Sequence, residues 1–84
     1  MTDRELFELA GKAADDDGDA LRLAVKLRML IGAHSDESWA QWYGRPRDGW
    51  ITTKEPNGDD PCAALRRAIV LCAVEIGRVK ACNT

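Results

Sequence analysis

Few residues in this chain are of types that could carry out chemistry, and their spacing decides which readings survive. His34-Ser-Asp36-Glu37 brings together side chains used in acid–base and nucleophilic catalysis. A catalytic triad, however, is defined by geometry, and three polar neighbours in a row are common in turns. His34 is the sole histidine, and no nucleophile motif accompanies it, so catalysis is not expected. The Asp15-Asp-Asp-Gly-Asp19 run invites a calcium loop. Such a loop starting at Asp15 would place Ala20 where glycine is required and Lys26 where the bidentate glutamate belongs. That run, like Asn57-Gly-Asp-Asp60, reads instead as helix punctuation, and neither a metal nor a cofactor is expected. Gly44 and Gly49 have the spacing of a phosphate loop, but no Lys-Ser/Thr follows and no helix begins there.

The cysteines offer no more. Cys62 and Cys72 stand ten residues apart on one expected helix, about 15 Å between α-carbons and beyond disulfide reach. Both read as small apolar core residues, and Cys82 as an exposed thiol. What remains is an aromatic–basic segment: Trp39, Trp42, Tyr43, Arg45, Arg47 and Trp50. Aromatic rings with arginines are enriched in protein-interface hot spots, and they can also stack on bases and hold phosphates. A third use is structural, with the tryptophans packing a sheet onto helices. Strand alternation puts Trp39, Gln41 and Tyr43 on one face and Ala40 and Trp42 on the other, so they cannot all serve one core.

The elements that position these residues can be read from helix and turn signals. Thr2-Asp-Arg-Glu5 has the form of a capping box. Leu6, Leu9, Ala10 and Ala13 follow at helical spacing, which predicts a first helix over 3–14. The clustered carboxylates 15–19 end it and begin the next, because they oppose a helix C-terminus and favour an N-terminus. In the second helix Ala20, Leu23, Ala24, Leu27 and Ile31 share a face. Residues 28–33 could continue that helix or turn into a strand, and a strand over 29–33 is the favoured reading. Residues 38–43 and 50–54, joined by Gly44-Arg-Pro-Arg-Asp-Gly49, predict a β-hairpin. Asp60 and Pro61 are the N-cap and first residue of a third helix, 61–76, with Gly77 as its end. Arg66 and Arg67, near that helix's start, are expected to pair with Asp59, Asp60 or the 15–19 carboxylates.

These elements make an α+β domain: two N-terminal helices, a small antiparallel sheet with a hairpin, and a C-terminal helix packed on the sheet. It should span residues 1–79, with 80–84 a polar tail. The third helix has little charge around its circumference, which points to deep burial or to an interface. A homodimer through helix 61–76 is one expectation. In 84 residues, only about 60% of the unfolded surface is buried.

Composition excludes other classes. A net charge of −2 is too small for a DNA mimic and has the wrong sign for a phosphate binder, so nucleic acid is disfavoured. No apolar run approaches the ~18 residues of a membrane span. The polar, acidic start is unlike a secretory signal, and a cytoplasmic location is expected.

Three stretches also carry a resemblance: MTDRELFELAGKAA at the start, DDGDALRLAVKL over 16–27, and RRAIV…EIG in the third helix. Together the chain resembles a family of small uncharacterised proteins of tailed phages and prophages. Residues 28–58 lie outside the match. The resemblance implies a phage gene and an α/β sandwich, with a strand-bearing segment of longer relatives missing between Ala14 and Asp15. The expected function is non-catalytic binding to a host protein in the bacterial cell, in concrete form an anti-CRISPR-like inhibition of a defence system. Its binding residues would be Trp39, Trp42, Tyr43, Arg45, Arg47 and Trp50. The alternatives are a nucleic-acid-binding hairpin and a homodimeric structural protein.

Overall fold

A computed structural model of the chain describes residues 3–44 and 49–82, with side chains placed over 4–44 and 49–79. Helices α1 (Asp3–Ala13) and α2 (Asp17–Lys26) precede three strands, β1 (Leu30–Ala33), β2 (Glu37–Tyr43) and β3 (Trp50–Pro56). Helix α3 (Pro61–Cys82) completes the chain. The fold class is the α+β arrangement expected. Thr2, and with it the anticipated capping box, lies outside the described residues.

The acidic run works as punctuation. Asp16 takes extended backbone angles and its carboxylate accepts the Asp19 N–H at 2.9 Å, capping α2. Leu6, Ala10 and Ala13 of α1 face Ala20, Leu23 and Ala24 of α2 in the core. Where α2 stops was ambiguous in the sequence, and its C-terminus settles the matter. Arg28 adopts φ 58°, Arg28 N–H donates to Val25 O, and Met29 N–H donates to Ala24 O. This is the Schellman closure, in which a left-handed residue turns the chain out of the helix. It holds an arginine where glycine is usual, and the strand starts two residues later.

The three strands form an antiparallel meander in the order β1-β2-β3. Gly32 pairs with Trp39, Ala40 with Thr53, and Tyr43 with Trp50. Helix α3 lies between layers, with β2 and β3 against one side and the α1–α2 pair against the other. This explains its thin polar face: Ala64, Ala68, Ile69, Cys72, Ala73 and Ile76 are all buried. Two contacts seat it on β3. Thr53 Oγ1 donates to Ala68 O at 2.6 Å, and Cys72 Sγ lies 4.0 Å from Ile51 O.

Four sequence expectations require correction. Helix α3 does not end at Gly77 but continues to Cys82, so residues 80–82, read as the start of a polar tail, are helical. Gly77 serves packing instead: a Cβ there would stand 2.8 Å from the Phe7 ring of α1. Cys62 is exposed, not core. It shares the angular position of the buried stripe but sits in the first turn of α3. There α2 and the sheet leave open a cavity of about 170 Å³ lined by Leu21, Ile31, Leu65 and Arg66. Arg66 pairs as expected, with Asp17 at 2.6 Å, but Arg67 reaches Glu55 of β3 at 3.9 Å. The seating of α3 on β3 brings Glu55 within its reach.

Candidate functional site

Alternation along β2 and β3 sends side chains to two surfaces with different fates. Ser38, Ala40 and Trp42 of β2, with Ile51, Thr53 and Glu55 of β3, point toward α3. Ala40 and Ser38 are fully buried, and Trp42 and Ile51 pack against the core. Trp39, Gln41 and Tyr43, with Trp50, Thr52 and Lys54, point the opposite way. All three helices lie on the other side of the sheet, so no element covers this second surface among the described residues.

That open face is a built arrangement. Tyr43 and Trp50, directly opposite in register, hold their rings 4.6 Å apart at 46°. They are 50% and 56% exposed, although rings of this size usually find cover. Trp39 lies flat across β1, because a Cβ on Gly32 would come within 2.5 Å of its ring. Glycine at 32 lets the indole lie there and cover the backbone, the packing by which aromatic rings offset glycine in strands. Gln41 Nε2 donates to Thr52 Oγ1 at 3.2 Å between the Tyr43–Trp50 pair and Trp39. Beyond Trp39 a shallow trough of about 540 Å³ is lined by His34, Glu37, Gln41 and Lys54. Leu30 of β1, 55% exposed, extends the apolar area beside Gln41.

The expected binding residues therefore divide. Trp39, Tyr43 and Trp50 share the open face. Trp42 does not, since the pleat turns it inward onto the core. Arg45 and Arg47 lie outside the described residues. Gly44 N–H donates to Gly49 O at 3.1 Å, closing the described ladder beside the Tyr43–Trp50 pair. Gln41 joins Trp39 and Tyr43 on this face as strand alternation predicted, whereas Leu30, Thr52 and Lys54 were not singled out from the sequence. Projecting the hairpin alternation onto the second strand would have found Thr52 and Lys54, whereas Leu30 required the β1 register.

The His34–Glu37 segment closes the β1–β2 turn through His34 N–H to Glu37 O at 2.7 Å. Asn57 pins it: its Nδ2 donates to His34 O, its N–H to Asp36 O, and its Oδ1 accepts from the buried Ser38 hydroxyl at 2.7 Å. These polar residues thus make a structural clasp. Among the described residues, no group of three or more histidines, cysteines or carboxylates is placed to hold a metal ion. No described helix is long and apolar enough to cross a membrane. Burial pushes the Cys72 thiol up to about 11, with the Glu75 charge adding to the rise and a hydrogen bond from Thr53 opposing it.

Compared with known proteins, the chain matches no family model, no curated protein and no solved structure. The reading of this surface rests on its own geometry.

Proposed function

We propose that this protein acts by non-catalytic binding of another protein through the open face of its sheet, centred on Tyr43, Trp50 and Trp39. The observation that carries this reading is the Tyr43–Trp50 pair, two half-exposed aromatic rings held together by strand register on a surface that no other element covers among the described residues. Aromatic rings in a rigid frame lose little side-chain entropy on docking and supply much of the energy at protein interfaces. Sheet hydrogen bonding holds this frame before any partner arrives, which lowers the cost of association.

The partner is a host protein in the cytoplasm of an infected bacterium, consistent with the resemblance to small phage proteins. The concrete form is occlusion of a component of a bacterial defence system. Arg45 and Arg47 stand between Tyr43 and Trp50 in the sequence and are included in the proposed binding residues. The test is capture of host proteins from nuclease-treated bacterial lysate by wild type, by Tyr43→Ser/Trp50→Ser and by Arg45→Glu/Arg47→Glu. One stoichiometric protein, lost with the folded aromatic variant, is the expected result. Equal capture by that variant, or none by wild type, overturns the reading.

A second reading has one observation in its favour: rings on an open antiparallel sheet, beside Lys54, are an arrangement on which unpaired bases stack. The net charge of −2 opposes it. Binding of labelled single-stranded oligonucleotides that weakens steeply with salt would move the assignment there.

A further inference from the structure

The backbone of β3 has one side unused. Gly44 N–H to Gly49 O and Asn57 N–H to Asp36 O bracket the β2–β3 ladder. Hydrogen-bonded and non-hydrogen-bonded pairs alternate between those ends, so Ile51, Thr53 and Glu55 exchange bonds with β2. Trp50, Thr52 and Lys54 aim their N–H and C=O groups away from the sheet, and among the described residues no backbone group meets them. β1, the other edge, is only four residues long, whereas β3 has seven. Free donors along a strand of that length are a template for another strand.

We propose that β3 pairs antiparallel with β3 of a second copy about a two-fold axis through Thr52, forming a homodimer with one continuous sheet. Lys54 and Pro56 are residue types that guard edges, and here they select this register. An axis at Thr53 would set Trp50 opposite Pro56, which has no N–H to offer. An axis at Lys54 would put two ammonium groups face to face. An axis nearer Trp50 would leave Lys54 opposite residues before the partner strand begins. At Thr52 every outward N–H of Trp50, Thr52 and Lys54 finds a carbonyl. Each Trp50 then lies beside the other copy's Lys54, in reach of a cation–π contact.

Helix α3 satisfies the same axis independently. Cys72 meets Ile51 and Ala68 meets Thr53, so residue 70 lies over Thr52. Leu71, beside it, is the most exposed large apolar side chain on α3, at 45%. Arg67 and Glu75 stand four residues to either side, and the Arg67 reach to Glu55 marks this strip as the β3 flank. Antiparallel copies of α3 about residue 71, within about 1.5 Å along the helix of that level, bring Leu71 against Leu71 and Arg67 opposite Glu75, twice. With strands about 4.8 Å apart, a helix seated over β2 and β3 lies about 5 Å from the axis. The two helices then sit about 10 Å apart, the spacing at which helices pack. The dimer leaves the aromatic face open and joins two copies of it.

Sedimentation velocity on the full chain, from about 1 mM down to about 1 μM, tests this together with amide hydrogen exchange. The expected mass is twice 9.3 kDa at the upper end, with the Trp50, Thr52 and Lys54 amides protected there and losing protection on dilution. Thr52→Pro removes a central donor without touching the β2 ladder, and Leu71→Lys charges the helix strip. Each is expected to sediment as a monomer with native circular dichroism. A wild-type monomer throughout overturns the proposal, as does a dimer that survives in whichever of the two variants is folded.

Discussion

The two faces of the β2–β3 hairpin differ by one residue of sequence offset and by almost everything else. On the face toward α3 the side chains are small or tightly matched: Ala40 and Ser38 are fully buried, and Thr53 holds Ala68 O at 2.6 Å. On the opposite face Tyr43 and Trp50 keep half their surface in water, with their rings 4.6 Å apart. The inner face is small because α3 itself is built from alanines at 64, 68 and 73, which brings helix and sheet close. The volume that a core of 84 residues would ordinarily place inside thus stands on the surface. A chain selected for stability alone would exchange these assignments, since burying a large ring contributes about 2–3 kcal/mol.

The comparison can be broken most sharply by one substitution placed on each face. Ala40→Glu puts a carboxylate into a fully buried site, at a cost of about 4 kcal/mol or more. For a domain of this size that is enough to unfold it. Gln41→Glu, one residue along, is expected to change stability by less than about 0.5 kcal/mol. Urea denaturation followed by tryptophan fluorescence distinguishes them, and similar costs would remove the contrast.

A smaller effect comes from alkaline pH. Cys72 beneath β3 has its pKa raised from 9.0 to about 11. The unfolded thiol ionises first, so stability is fully present below pH 9 and is lost as pH rises through 11. The loss is about 2–3 kcal/mol. Cys72→Ala should lack this component when the two are compared at pH 8 and pH 11. Cys62, at the cavity rim, should react with a thiol reagent in the folded protein while Cys72 does not.

Next in size is the clasp beside the open face. Asn57→Ala removes the partner of the buried Ser38 hydroxyl and frees the β1–β2 turn, costing about 2 kcal/mol. Adding Ser38→Ala should restore part of that loss, because it removes the stranded hydroxyl; a fully additive double mutant would show that the two do not act together. The smallest effect belongs to neither face. Arg28→Gly relieves a left-handed arginine and should raise the midpoint of thermal unfolding, by up to about 1 kcal/mol in stability.

Much of the fold was legible in local signals. Asp16 and Asp60 cap their helices through their own side chains, so residue type and spacing announce the starts without tertiary help. The α1 and α2 stripes, and the placing of Ala40 and Trp39 on opposite faces of β2, follow from the 3.6 and 2.0 periodicities alone. Ends were less legible. Gly77 has the type of a helix terminator but lies mid-helix, because a ring from α1 needs the space that its side chain would fill. Cys62 keeps the period of a core position but stands where the packing partners stop.

The sequence by itself determined where the helices begin, that a hairpin precedes the last of them, and that aromatic rings crowd that hairpin. Only the tertiary structure decided which hairpin face became surface. That choice depends on where α3 sits, and α3 sits where Thr53, Ile51 and Glu55 can meet Ala68, Cys72 and Arg67. Those contacts join residues 12 to 21 positions apart, and no local periodicity encodes which of two alternating faces a distant helix will cover.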